Sequence, residues 1–310
     1  MDHRPNTTKT LIVIAGPTAV GKTAVSIKLA QQLHTEIVSA DSRQFYREMS
    51  IGTAKPNNEE LAAVKHHFIN SISITEKFSV GDYEKQCLQL LDELFETHDK
   101  VILVGGSGLF IQAITKGFDD LPVADTAIRE QLNTELAEKG IQFLRERLKS
   151  ADPDYYKQVD LSNPQRLIRA LEVFESTGKP FSSYRKATTN KRPFGVIEIG
   201  LDLPREILYD RINRRVDVMA NEGLVAEVHS LLPYRHLNAL NTVGYSELFD
   251  YFDGKTDLYT AIGLIKQNTR RFAKRQLTWF RKDKEIKWLL ADRLDLGDVI
   301  LQELTYKQVF

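Results

Sequence analysis

The chain has 310 residues, 42 Lys and Arg against 42 Asp and Glu, 42% hydrophobic residues and one cysteine, Cys87. That composition excludes a disulfide-stapled secreted scaffold and a cysteine-based zinc site, and it gives no general pull toward polyanions. The polar start "MDHRPNTTKT" leads into an apolar run too short for a signal or spanning segment, so the expectation is a cytoplasmic chain with no membrane association.

In chain order, "TLIVIAG" reads as a strand, and "KTAVSIKLAQQL" as a helix with Val25, Leu29 and Leu33 on one face. "EIVSADS" reads as a second strand. "SVGDYEKQCLQLLDELF" opens with a capping box, Ser79 and Asp82, and carries Tyr83, Cys87, Leu90, Leu91 and Leu94 at helical spacing. "KVILVGGSG" is a third strand ending in glycines. Strands alternating with helices imply a parallel sheet. From about Thr115 to about Lys191 strand signals vanish. "DTAIREQLNTELAEKG" spaces Ile128, Leu132 and Leu136 by four and stops at Gly140, and "NPQRLIRALEVFESTGKP" starts at Asn163-Pro164 and ends at Gly178 and Pro180. "FGVIEIGLDL" and later "EIKWLLAD" resume as strands. The expected architecture is α/β: a P-loop-type parallel sheet with helices on both faces, plus an inserted all-helical lobe. Residues 1–114 form the first part of the core, 115–193 the insert, and 194–310 the completion of the core.

"GPTAVGKT", residues Gly16, Pro17, Thr18, Ala19, Val20, Gly21, Lys22 and Thr23, fits G-x-x-x-x-G-K-[ST] between a strand and a helix. Such a loop wraps backbone N–H groups around a phosphate chain at a helix N-terminus. Lys22 adds a charge, and the Thr23 hydroxyl is placed for Mg²⁺. Ligands of open parallel sheets collect at the carboxyl ends of strands. Asp41 ends the second strand there, as a metal ligand or general base, or else as a helix cap or turn residue. Ser107 follows the third, as a functional hydroxyl or equally a turn residue.

"GPTAVGKT", "SADSRQFY", "IGTAKP", "GGSGLF", "NPQRLIRALEVFESTGKP", "RINRRVDVMANEGLVAEV", "NTVGYSEL" and "NTRRFAKRQLTWFR" occur in this order. Together they closely resemble the bacterial tRNA dimethylallyltransferases, or tRNA isopentenyltransferases, from about Thr10 to about Asp292. The resemblance implies transfer of a dimethylallyl group from dimethylallyl diphosphate to N6 of adenosine 37, beside the tRNA anticodon, with Mg²⁺ as cofactor. It implies that the Gly16–Thr23 loop holds the diphosphate, that Asp41 is the base, that Ser107 is a hydroxyl near the reacting groups, and that Arg215 meets the leaving diphosphate. It also implies that Asp41, Ser42, Arg43 and Gln44 contact the target base. Three residues depart from the family's usual pattern: Val20 stands for Ser, Ser107 for Thr and Phe110 for Tyr.

Evidence for RNA also stands in the sequence by itself. "KQNTRRFAKRQLTWFRK", Lys266 to Lys282, holds seven basic residues and no acidic one. As a helix it sets Ile265, Thr269, Phe272, Gln276 and Phe280 on one side and Arg270, Lys274 and Arg281 on another, with Arg275 in the same stretch. This reads as a phosphate-binding stripe, or as a solvated face of a core helix. In the insert, Gln165, Arg166, Leu167, Ile168 and Arg169 form a second candidate tRNA contact, with the two arginines alternatively ion-paired to Glu172 or Glu175. The expected partner is the anticodon stem-loop, whose adenine must leave its stack to reach a buried diphosphate. The tandem His66-His67 favours loop or core roles over a metal site. Rival readings are a small-molecule P-loop kinase, a prenyltransferase acting on free AMP, and an RNA-binding NTPase. A monomer is the expected state.

Overall fold

The computed structural model describes residues 9–117, 122, 125–185 and 191–306. The chain divides into two compact units, 1–115 with 192–310, and 116–191.

The first unit is built on β1 (Thr10–Ala15), α1 (Lys22–Leu33), β2 (Ile37–Ser39), α2 (Asn58–Ala63), β3 (His66–His67), α3 (Val80–Thr97), β4 (Lys100–Gly105) and α4 (Gly108–Thr115). The second unit holds α5 (Thr126–Ala151), α6 (Pro153–Tyr156) and α7 (Pro164–Thr177). The chain then returns to the first unit through β5 (Gly195–Asp202), α8 (Arg205–Asn221), α9 (Leu224–Ser230), α10 (Ser246–Phe252), α11 (Leu258–Phe280), β6 (Lys287–Leu290) and α12 (Leu296–Tyr306). Among the described residues no helix is long and apolar enough to cross a membrane.

The six strands pair in the order β3-β2-β4-β1-β5-β6, and the ladders are parallel. β1 is buried throughout and lies between β4 and β5. Its side chains alternate between two cores. Leu11 and Val13 pack with Tyr83, Cys87 and Leu91 of α3 and Ile111 and Ile114 of α4. Ile12 and Ile14 pack with Leu29 of α1, Leu208 and Ile212 of α8 and Ile300 of α12. Both faces of the sheet are thus covered by helices, which is why β1 reads as a continuous apolar run. Each such buried side chain contributes roughly 1.5–3 kcal/mol of transfer free energy, and this sets β1 as the rigid platform for the loop that follows it. A third core under α8 to α11 gathers Val216, Met219, Leu224, Tyr245, Leu248 and Ile265.

The Ser79–Asp82 capping box opens α3 as expected. Asn163 caps α7, and Gly178 ends it in the left-handed region. The stop expected at Gly140 is present: its φ of 74° and ψ of 175° are non-helical, so α5 is two helical runs joined at a break there, the second reaching Ala151. The insert packs on Leu132, Leu144, Leu148, Leu167, Ile168 and Leu171. The short strand β3 carries no pattern that a period-two reading could find. Its pairing, Ile37 with His66 and Val38 with His67, comes from the sheet edge rather than from local sequence.

Candidate active site

Three strand ends converge at the carboxyl edge of the sheet: Ala15 of β1, Ser39 of β2 and Gly105 of β4. The loop after β1 turns sharply. Ala19 adopts a φ of 66°, uncommon for a residue with a Cβ, and Gly21 one of 107°. Together they bring the chain round so that α1 begins at Lys22, with Thr23 in its first turn. The Lys22 Nζ donates to the carbonyls of Gly16 at 3.0 Å and Pro17 at 2.9 Å. Burial pulls its pKa down to about 8, opposed by the Asp41 carboxylate and assisted by the Arg215 guanidinium. Arg215, from α8, donates Nη2 to the Thr18 hydroxyl. Its Nε is buried with no hydrogen-bond partner. Burial lowers its pKa too, with Asp41 opposing. Arg211, one turn away, donates to the Val20 carbonyl at 3.4 Å. Two half-buried cations, one with an unpartnered guanidinium N–H, beside a loop of backbone amides form a site for a multiply charged anion.

Asp41 follows β2. Its Oδ1 accepts the Arg43 backbone N–H at 3.1 Å, which fixes the carboxylate at the turn. The Ser107 Oγ accepts the Ser42 N–H at 3.1 Å and lies 3.1 Å from the Ser42 hydroxyl. Ser107 therefore ties the β4 end to the β2 end, without the methyl group that a threonine would add. Arg43 turns its guanidinium to the carbonyls of Asn238, Ala239 and Asn241, at 3.1, 2.9 and 3.3 Å. It pins that loop rather than extending a free charge. Gln44 donates Nε2 to the carbonyls of Thr53 and Ala54, at 3.2 and 3.0 Å. Its donor half is engaged, so Oε1, an acceptor, is the atom it offers.

A cavity of about 750 Å³ has Thr18, Lys22, Asp41, Ser107 and Arg215 in its wall. Its apolar side comes from Leu109, Phe110, Val216, Met219, Phe272 and Trp279. A second cavity of about 250 Å³ shares Thr18, Lys22, Asp41 and Arg215 and adds Thr23, Ser39, Glu60 and His66. The Phe110 ring packs in an aromatic cluster, 5.5 Å from Phe45 and 5.2 Å from Tyr83 between centroids. The tandem histidines part company on β3. His66 lines the smaller cavity and hydrogen-bonds the Val64 carbonyl through Nδ1 at 2.8 Å, with its pKa lowered by burial. His67 pairs with Glu36 at 2.5 Å.

Sequence reasoning missed Glu227 of α9. Its carboxylate accepts the N–H groups of Ser50, Ile51 and Gly52, at 3.0, 2.7 and 3.0 Å, and the Tyr245 hydroxyl at 2.6 Å. Burial and this carboxylate push the Tyr245 phenol well up. Glu227 thereby shapes the "IGTAKP" loop on which Gln44 rests. The only sequence signal was the conjunction of that motif with "RINRRVDVMANEGLVAEV", which carries no distance information.

The basic stretch forms the C-terminal part of α11 and the two residues after it, but its charges do not form one free stripe. Arg270 donates to the Asn213 Oδ1 at 2.6 Å, and Arg281 pairs with Asp202 at 2.6 Å. Lys274 and Arg275 are exposed, and Arg275 lies over the Phe272 ring at 5.7 Å and lines the larger cavity. In the insert, Gln165 and Arg166 are exposed. Arg169 pairs with the buried Glu172 at 3.2 Å, whereas Glu175 pairs with Arg147. Leu167 and Ile168 are fully buried in the insert's core, so their side chains are not available as RNA contacts.

Comparison with known proteins gives these features a family. A family model described as IPP transferase matches residues 44–283. A tRNA dimethylallyltransferase of Christiangramia forsetii is 59% identical over 282 residues, 91% of this chain and 93% of the relative. The solved tRNA isopentenylpyrophosphate transferase of Bacillus halodurans is similar with a TM-score of 0.71 and 38% identity, covering 97% of this chain and 96% of that one. A eukaryotic dimethylallyltransferase acting on tRNA aligns with a TM-score of 0.76 and 26% identity, over 96% of this chain and 77% of that one. On its sequence, its parallel sheet and the span of these matches, the chain belongs to the IPP transferase family.

Proposed function

We propose that this chain transfers the dimethylallyl group of dimethylallyl diphosphate to N6 of adenosine 37 in tRNA, giving N6-(dimethylallyl)adenosine and diphosphate. The observation that carries this reading is one cavity wall holding both halves of the chemistry: Lys22 and Arg215 for an anion, and Asp41 for a proton, with Ser107 beside them. The family membership and the names of the relatives support it.

In this reaction the N6 lone pair forms a bond to the allylic C1 while the C1–O bond breaks, and the electron pair leaves with the diphosphate. N6 becomes acidic as its lone pair is committed, and its proton passes to an Asp41 oxygen. Negative charge growing on the bridging oxygen is met by Lys22, by the unpartnered N–H of Arg215 and by the loop amides, groups already in place before the bond breaks. Thr23, with the Ser39 oxygen in the same small cavity, offers hard oxygen donors that suit Mg²⁺, which when bound would neutralise diphosphate charge. The apolar wall of Leu109, Phe110 and Met219 suits a five-carbon chain and excludes water from the allylic cation-like carbon. The Gln44 Oε1 suits the second N6 hydrogen of adenine.

The test is diphosphate release from dimethylallyl diphosphate with and without tRNA. Release that depends on tRNA supports the proposal. Release at the same rate without it assigns the chain a hydrolytic role instead.

A further inference from the structure

Gln276 sits on α11 among residues read for their charge, yet it is only 6% exposed. Its Oε1 accepts the Thr18 backbone N–H at 2.9 Å, and its Nε2 donates to the Gly106 carbonyl at 2.9 Å. A Cβ on residue 106 would come within 2.3 Å of that Nε2, so the amide seats where glycine leaves room. One buried side chain thus bridges the loop after β1 and the turn after β4.

What each end of the bridge holds gives it a consequence. Thr18, held through its N–H, receives Arg215 on its hydroxyl. Gly106 precedes Ser107, whose N–H donates to the Ala40 carbonyl at 3.4 Å and whose Oγ accepts the Ser42 N–H at 3.1 Å. Asp41 lies between those two partners. The amide cannot be reversed, because that would set Nε2 against a donor N–H and Oε1 against a carbonyl. We propose that Gln276 is a positioning residue for prenyl transfer: it sets the separation between Thr18 with Arg215, on the leaving-group side, and Ser107 with Asp41, on the acceptor side. The Thr18 N–H is directed to Gln276 rather than to the diphosphate, so this end of the loop orients Arg215 instead of cradling phosphate. The proposal rests on the prenyl-transfer reading above.

Displacing a reacting group by about 1 Å costs on the order of 100-fold in rate. The experiment measures single-turnover transfer by full-length Q276L and Q276E, with separate dissociation constants for dimethylallyl diphosphate and tRNA. Q276L removes both hydrogen bonds. Its rate constant is expected to fall by about 30- to 100-fold, with both dissociation constants within about threefold of wild type. Q276E keeps an acceptor for Thr18 but opposes an oxygen to the Gly106 carbonyl, and its rate is expected to fall in between. Should Q276L not fold by circular dichroism, Q276E decides by the same split of rate from affinity. A folded variant with a rate within about threefold of wild type overturns the proposal, as does a rate loss matched by an equal loss of donor affinity. If the wild-type protein itself moves no prenyl group, the functional reading fails. If wild type transfers and Q276L equals it, only the role of Gln276 fails.

Discussion

At Asp41 the carboxylate has one identified tie, the Arg43 N–H at 3.1 Å, and lines both cavities beside the half-buried Lys22 and Arg215. Asp41→Asn keeps the shape and the tie but removes the carboxylate proposed above as the proton acceptor. Single-turnover transfer should fall by about two to four orders of magnitude, with donor affinity nearly unchanged; near-normal transfer would assign the proton to another group. Lys22 makes a pH prediction. In the free protein burial holds its pKa at about 8. A bound diphosphate favours the ammonium form and raises that value, so above about pH 8 binding must take up a proton. Donor affinity should therefore be flat below about pH 7 and fall by up to about tenfold per unit above about pH 8. Calorimetry at pH 8.5 in two buffers of different ionisation enthalpy reads this as proton uptake; heats that are the same in both would show that Lys22 is already charged at that pH. Asp41, Ser107, Lys22 and Arg215 each stand in a short motif, and the structure sets the four in one cavity wall. Gln44 was legible as a polar group but not in its polarity, since the carbonyls that occupy its Nε2 belong to residues 53 and 54.

The elements that face the site divide the same way. Helix α11 announces itself by charge, yet its charges have different fates that only packing decides. Arg281 already meets Asp202, while Lys274 and Arg275 are exposed. Replacing Lys274 and Arg275 by Ala should make the salt dependence of tRNA binding shallower by about one unit each, and Arg281→Ala should change it less, because that charge is partly neutralised at home. Equal slopes for all three variants would contradict this division. Helix α9 announces nothing, yet Glu227 holds three backbone N–H groups and the Tyr245 hydroxyl. Glu227→Ala should cost about 3 kcal/mol in urea unfolding, since these donors lose their acceptor together; a loss below about 1 kcal/mol would mean the loop re-forms with water. The capping box of α3 and the ends of α7 were readable because caps are local chemistry. The break at Gly140 was readable too, since glycine takes a positive φ at no steric cost; the edge strand β3 was not, because two residues give no period.

Across the whole molecule, the alternation of strand and helix in the first hundred residues gave the parallel sheet, and the loss of strand signal after Thr115 gave the insert. The order β3-β2-β4-β1-β5-β6 was beyond such reading, yet it has a functional consequence. It seats β1 between β4 and β5, so the phosphate loop opens next to the Ser107 turn, one strand away from Asp41 at the end of β2. Helices α8 and α11, from late in the chain, then supply Arg215 and, together with Leu109 and Phe110 of α4, the apolar wall. A kinase could share the loop and a strand-tip carboxylate; it has no use for a prenyl-sized apolar wall beside them. The measurement that decides is mass analysis of nucleosides from tRNA incubated with the protein and dimethylallyl diphosphate, in parallel with ATP. The expected result is N6-(dimethylallyl)adenosine formed one for one with released diphosphate, and no ADP in the parallel sample. ADP formation with unmodified tRNA would contradict it.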